Sequence, residues 1–390
     1  MEYRINPKNG DKLSILGYGC LRYTKKGGAI DQAKAEEEMA RAIELGVNYF
    51  DTAYVYRGSE AALGKFLSKG YRNQVYIATK LPHYLIKKPG DMERYFEEEL
   101  SRLQTDYVDY YLMHMLTNVE AWERLKSLGV DQWLEEKKTK GQIRTVGFSY
   151  HGGTEAFKAL IDVYPWEFCQ VQFNYMDEHS QAGIEGIRYA AAKGIPVMIM
   201  EPLRGGRLAG GLPPKAKELF LEDDPSRSPA RRGLEWVWNH PEVTLLLSGM
   251  NDLAQVEDNA KAASERKPLT EKDLALFQGV RREIEAVEKI HCTGCGYCQP
   301  CPKGVDIPNC FRSYNIRYSD GWYRSLKEYF MMTTLRANHS NAGQCVQCGK
   351  CKSHCPQNID IPQELTKVSQ KLEDPIYKIA SKVAKKIVKF

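Results

Sequence analysis

The stretch AEEEMARAIELGVNYFDTAYVYRGSE, running from Ala35 to Glu60, decides the fold. It opens as an amphipathic helix, passes into the short apolar strand VNYFD, and leaves that strand through a polar loop that carries Asp51 and Tyr56. The same alternation fills the chain from about Leu13 to Ala263. SILGYG precedes the stretch, and VYIAT, VDYYLM, TVGFS, CQVQFN, VMIME and VTLLLS follow it, which makes eight strand candidates separated by helical segments. Repeated βα units predict an α/β protein with a parallel sheet. Eight of them favour a closed (β/α)8 TIM barrel, although an open doubly wound sheet has the same local pattern. In a barrel, the residues just past the strand C-termini carry the chemistry.

A barrel uses about 250 residues, so a chain of 390 leaves room for a second, smaller domain. The boundary is expected near Ile290, giving a barrel over 1–290 and a cysteine-rich domain over 291–390. With 43% hydrophobic and 27% charged residues the composition is that of an ordinary globular protein, and no run of about 20 apolar residues is present to span a bilayer. The N-terminal MEYRINPKNGDKL is polar, without the apolar core of a secretion signal, so the cytoplasm is the expected location. Net charge is +5, and Lys378, Lys382, Lys385, Lys386 and Lys389 in the acid-free tail account for all of it. The near-neutral body gives no reason to expect a nucleic-acid partner. Ile379, Val383 and Ile387 at four-residue spacing make that tail an expected amphipathic helix. The stretch from Leu203 to Arg232, dense in Gly, Pro and charge, reads as a functional loop over the barrel mouth.

Four ionisable residues fall where strands end: Asp51, Tyr56 in the loop that follows, Lys80 and His114. A tyrosine has an ordinary pKa of about 10, so one that acts as a general acid near neutrality needs a cation beside it. A buried Lys80 held by Asp51 would supply that cation, and His114 would orient a carbonyl oxygen.

The motif DTAYVYRGSE at Asp51–Glu60 resembles the signature of the aldo/keto reductase family. The resemblance continues, in order, through Gly17-Tyr18-Gly19, LSRLQTDYVDYYLMH, GQIRTVGFS, QVQFN, EPLRGGRL and SGMNDLAQVEDN, and covers about 250 residues. It implies an NAD(P)H-dependent oxidoreductase acting on a small-molecule carbonyl substrate, with Tyr56 as the acid, Lys80 and Asp51 as its tuning pair, and His114 as the substrate orienter. It also implies that Ser149 and Gln170 hold the nicotinamide carboxamide, that Leu203, Gly205 and Gly206 cover the pyrophosphate, and that Asp258 and Asn259 approach the adenine. Gly19, Ser248 and Gly249 complete the implied cofactor site. Three departures stand out: Tyr150 replaces the asparagine usual beside the serine, Met200 stands where many members stack an aromatic ring, and Gly249 and Gln255 replace a lysine and an arginine that meet the 2′-phosphate. NADP and NAD both remain open.

Of eleven cysteines, nine follow His291. Cys345, Cys348, Cys351 and Cys355-Pro356 have the C-x2-C-x2-C-x3-C-P spacing of bacterial ferredoxins, which hold [4Fe–4S] cubes. A zinc site built from four cysteines needs only two Cys-x-x-Cys knuckles and leaves the third cysteine and the Cys-Pro step unexplained. The earlier group, Cys292, Cys295, Cys298 and Cys301-Pro302, is one residue shorter before its last cysteine. In the two-cluster pattern the last cysteine of each group crosses to the other cube. Two cubes are therefore expected, one on Cys292, Cys295, Cys298 and Cys355, the other on Cys345, Cys348, Cys351 and Cys301, with Cys310 as a substitute for Cys301. The flanks CPKGVDIP and CPQNIDIP rhyme, and the intervening SYNIRYSDGWYRSLKEYFMMTTL reads as helical, so an α-helical ferredoxin-like domain is expected.

Hydride carries two electrons and a cube accepts one, so barrel and clusters do not exchange electrons without an intermediary. The first functional expectation is carbonyl reduction in the barrel, with clusters for structure, sensing or electron transfer. Two alternatives are a reductase fed through its clusters by ferredoxin or a flavoprotein, and a non-catalytic redox sensor or electron-transfer subunit. Retention of all four of Asp51, Tyr56, Lys80 and His114 weighs against the last.

Overall fold

The structure is a computed structural model that describes residues 1–335, 339–375 and 377–381. Residues 382–390, where most of the lysine-rich tail helix was expected, lie outside the described residues. By contacts the chain divides into two compact units, one made of Met1–Leu203 and Ala230–Thr270, the other of Arg204–Pro229 and Glu271–Phe390. Among the described residues no helix is long and apolar enough to cross a membrane.

The first unit is a closed parallel barrel of eight strands. They are β1 (Leu16–Gly19), β2 (Tyr49–Asp51), β3 (Tyr76–Leu81), β4 (Val108–Leu116), β5 (Ile143–Tyr150), β6 (Phe168–Gln172), β7 (Val197–Met200) and β8 (Val243–Ser248), each beside its neighbour in sequence, with β8 paired to β1. All eight strands expected from the apolar runs are present, and closure selects the barrel over the open sheet. The interior is filled by Tyr49, Ala78, Tyr110, Leu112, Phe168, Met198, Leu245 and Leu247, the packed side-chain layers of such a barrel. Gly147 in β5 belongs to this packing, because a Cβ there would lie 2.5 Å from the Phe168 ring. At one end a hairpin of Tyr3–Ile5 and Lys12–Ser14 is tied across the opening. Its turn supplies Asn6 and Asp11, 3.1 Å and 2.7 Å from the Tyr110 hydroxyl. That leaves the C-terminal ends of the strands for the site.

In the second unit the Gly- and Pro-rich stretch departs from the expected plain loop. Pro214–Asp223 is a helix, and it packs against Glu271–Val287 through Phe220 and Phe277, whose ring centroids are 5.6 Å apart. Proline in the first turn starts a helix as readily as it breaks one elsewhere, and the KAKELFLE that follows is rich in helix formers. The cysteine-rich part holds no strand among its described residues, as expected. Its rhyming flanks fold alike. Asp306 caps α1 (Ile307–Ser319) by accepting from the Asn309 N–H, and Asp360 caps α2 (Ile361–Leu372) by accepting from the Gln363 N–H. Each helix carries proline in its first turn and begins on a buried isoleucine, so Ile307 and Ile361 meet in one core with Phe311, Tyr329, Leu365 and Val368.

Candidate active site and metal centre

Lys80 leaves β3 and Asp51 leaves β2, and register places the two strands side by side. The Lys80 Nζ sits 2.6 Å from Asp51 Oδ1 and donates to the Thr52 carbonyl at 2.6 Å; both side chains are buried. Burial pushes the Asp51 carboxyl up, with Lys80 pulling back. The ammonium lies 5.2 Å from the centroid of the Tyr56 ring, on its face. Tyr56 in turn meets the His114 ring edge-on at 6.0 Å. The four residues expected at strand ends therefore share one place.

His114 is fully buried on β4, and burial together with Lys80, His151 and His83 holds its imidazole well below the ordinary histidine range. It is a neutral ring through the neutral pH range, suited to orienting an oxygen rather than carrying charge. His83 and His151 were not singled out from sequence. Burial lowers each to about 4. Both lie just past the ends of β3 and β5, so the strand-end rule contained the signal. Tyr84, 44% exposed, adds a ring 6.4 Å from His114.

On the next strands Ser149 Oγ accepts from the Met115 N–H at 2.8 Å, which leaves its own hydroxyl proton to give. Gln170 is buried with Oε1 lacking a partner, and its Nε2 lies 3.8 Å from Met200 Sδ. An unfilled acceptor beside a hydroxyl donor fits a carboxamide, which brings one donor group and one acceptor. Tyr150 is committed elsewhere: its hydroxyl donates to the Gly153 carbonyl at 2.7 Å and its ring packs on Phe157.

Gly19, Ser248 and Gly249 meet where β1 and β8 end. A Cβ on Gly19 would lie 3.4 Å from the Ser248 carbonyl, and Asn259 donates to Ser248 Oγ at 3.0 Å. Asp258 is the half-buried neighbour of Asn259. The aliphatic stem of Arg22 lies across Gly249, with its Cβ and Cδ 3.3 Å from where a Cβ on that glycine would sit. Leu203 ends the first segment of the first unit; Gly205 and Gly206 are exposed, take left-handed φ of 63° and 91°, and group with the second unit. There Arg204 bonds Glu288 at 2.8 Å, and Arg207 bonds both Glu288 and the Cys292 carbonyl.

Within the second unit, Cys292, Cys295, Cys298 and Cys355 line a single pocket of about 310 Å³, counting space open to solvent, with Ile307, Phe311, Ile359 and Ile361 as apolar walls. Burial pushes the Cys298 thiol up, and Cys292, Cys295 and Cys355 push it further. Four thiols gathered in an apolar pocket repel one another once ionised, so a cationic centre suits them. Cys351 is likewise raised by burial and then by Cys345, Cys301 and Cys348. Cys310 is instead fully buried in the apolar core, 3.8 Å from the Ser340 carbonyl. Among the described residues no three His, Cys, Asp or Glu side chains converge as on one ion, a convergence that a cube, holding each thiolate on a different iron, does not need. Cys20 and Cys169 are buried within the first unit, their thiols raised by burial, that of Cys20 to about 12.

A barrel with a lysine, tyrosine, histidine and aspartate gathered at its strand ends defines a class of oxidoreductase. The chain belongs to the aldo/keto reductase family, whose model matches residues 15–282, and a 4Fe-4S dicluster domain model matches residues 291–359. L-galactose dehydrogenase of Arabidopsis thaliana is 26% identical over 74% of this chain and 94% of its own length. An uncharacterised oxidoreductase of Bacillus subtilis is 26% identical over 67% and 91%. Among solved structures, the holo form of an aldo-keto reductase from Bacillus halodurans matches with TM-score 0.60 at 25% identity, covering 72% of this chain and 96% of that one. An aldo/keto reductase from Klebsiella pneumoniae in complex with NADP and acetate matches with TM-score 0.59 at 24% identity and the same coverage.

Proposed function

We propose that this oxidoreductase reduces the carbonyl group of a small-molecule substrate with NADPH, with Tyr56 as the proton donor. The observation that carries the reading is the buried Lys80–Asp51 pair, whose ammonium faces the Tyr56 ring while that ring touches His114. When bound, the nicotinamide supplies hydride to the carbonyl carbon. Tyr56 gives its hydroxyl proton to the carbonyl oxygen, Lys80 stabilises the phenolate left behind, and neutral His114 orients the oxygen. Ser149 and Gln170 hold the carboxamide; Gly19, Leu203, Ser248, Gly249, Asp258 and Asn259 form the rest of the nucleotide site within the first unit. The stem of Arg22 against Gly249 brings an arginine to the end of the site where a 2′-phosphate would need a cation, which supports NADPH over NADH.

The cysteine domain, which we place over 291–390, would hold two [4Fe–4S] cubes, on Cys292, Cys295, Cys298 and Cys355 and on Cys345, Cys348, Cys351 and Cys301. The exposed Cys348 and its exposed neighbour Val346 favour a second reading, in which the clusters trade single electrons with ferredoxin or a flavoprotein. Thiolates that must stay reduced to hold iron suit the cytoplasm.

Protein purified anaerobically should oxidise NADPH in the presence of an aldehyde while the visible cluster absorbance stays unchanged. Bleaching of the clusters by NADPH alone, with no aldehyde turnover, would sink the reading in favour of the second.

Lys80→Met separates catalysis from stability. It should slow reduction about as much as loss of the acid, and it should also destabilise the barrel by about 3–5 kcal/mol, because Asp51 is left buried without its cation. Adding Asp51→Asn should recover most of the stability and none of the turnover, read by urea denaturation and steady-state rates. Recovery of turnover in the double variant would remove Lys80 from the mechanism.

A further inference from the structure

Thr293 lies between two cysteines of the first group and lines the pocket formed by Cys292, Cys295, Cys298 and Cys355. Its side chain is 3% exposed, and Oγ1 is buried without a hydrogen-bond partner. A hydroxyl shut away from water and from any acceptor is disfavoured, and a native protein that keeps one usually meets its need with something outside the polypeptide. The sequence itself shows that the hydroxyl is not required by the motif. In the second group the corresponding residue, between Cys345 and Cys348, is Val346, which has the same shape without the hydroxyl and is 56% exposed. So threonine occurs where the side chain is buried against the thiols, and valine where it faces water. A second donor already points to the same place: the Gly294 N–H lies 3.4 Å from Cys292 Sγ.

We propose that the Thr293 hydroxyl donates a hydrogen bond to a sulfur of the cube held in this pocket and thereby raises that cube's reduction potential. The inference rests on the assignment of a cube to Cys292, Cys295, Cys298 and Cys355. The physical reason is charge. Adding one electron makes the cluster more negative and its sulfurs better acceptors, so a fixed donor stabilises the reduced form more than the oxidised one. The step balances with one electron, supplied by dithionite in the test, and moves no proton and breaks no bond. Thr293 is a positioning residue that tunes the centre without ligating it.

The test is an anaerobic dithionite titration followed by electron paramagnetic resonance, on the full chain. The cube in question is identified independently as the signal lost in Cys298→Ala. In Thr293→Val, with iron content unchanged, the reduced-to-oxidised ratio of that signal at a fixed potential should fall about tenfold, or about 59 mV for a one-electron couple. Thr293→Ser, which keeps the hydroxyl, should restore the ratio, and the other signal should not move. Unchanged potentials at full iron content would overturn the proposal and leave the hydroxyl bonded to a buried water. Should valine lose the iron, Thr293→Ser is compared with Thr293→Ala, and equal potentials in those two overturn it just as well. Failure of the underlying assignment looks different: wild-type protein would then show no signal that Cys298→Ala and Cys355→Ala both remove.

Discussion

Tyr56→Phe should lower carbonyl reduction by about 10²–10⁴-fold while leaving nucleotide affinity nearly unchanged. The change removes one oxygen and keeps the ring, so its contacts with Lys80 and His114 survive. The Lys80–Asp51 pair does not depend on the hydroxyl either, since Lys80 already bonds Asp51 and the Thr52 carbonyl. What disappears is the proton. The loss should fall on kcat and kcat/KM together, as expected for an interaction made in the transition state. Nucleotide titration by fluorescence and steady-state turnover measure the two halves separately. Full activity in the phenylalanine variant would end the assignment of Tyr56 as the acid.

Cys355→Ala should damage the cube that belongs to the other sequence group. Cys355 lies ten residues beyond Cys345 in the chain, yet it lines the pocket with Cys292, Cys295 and Cys298. Iron should fall from about eight atoms per chain to about four if the cube is lost, or to about seven if it survives in a three-iron form. Cys301→Ala should do the reverse and spare the first cube. Because Cys310 is buried in the apolar core with its thiol near the Ser340 carbonyl, Cys310→Ala should leave iron content unchanged. Wild-type protein that holds only four irons after anaerobic reconstitution would show that the shortened step before Cys301 has cost the domain one cube.

Most of the barrel was legible because its strands are continuous apolar runs. A strand buried on both faces has little need of polar residues, so VDYYLM and VTLLLS read without ambiguity. Closure was legible only through the count of eight βα units, since the pairing of the last strand with the first is a non-local fact that no single window of sequence contains. The helix at Pro214–Asp223 was hidden by composition: glycine and proline at its flanks outweighed the buried Ala216 and Phe220 that hold it down. In the site, the strand-end rule picked out Asp51, Tyr56, Lys80 and His114 but passed over His83 and His151, which lie as close to strand ends. Thr293 gave no signal at all. A threonine in a cysteine motif means nothing until its burial and its empty hydroxyl are seen together.

The paired caps of the cysteine domain bear on how the protein is made. Each CP-x-x-x-DIP run ends one cysteine group and, within five residues, starts a helix whose first isoleucine enters the shared core. Under the crossed assignment the ribosome releases three ligands of the first cube long before the fourth, and Ile307 enters the tunnel's exit before Ile361 exists to pack against it. Neither half can be finished alone. Iron delivered during synthesis would meet an open, three-handed site, so cluster insertion becomes an event of the completed chain, and a truncation after the first motif would yield a protein that colours with iron briefly and then loses it.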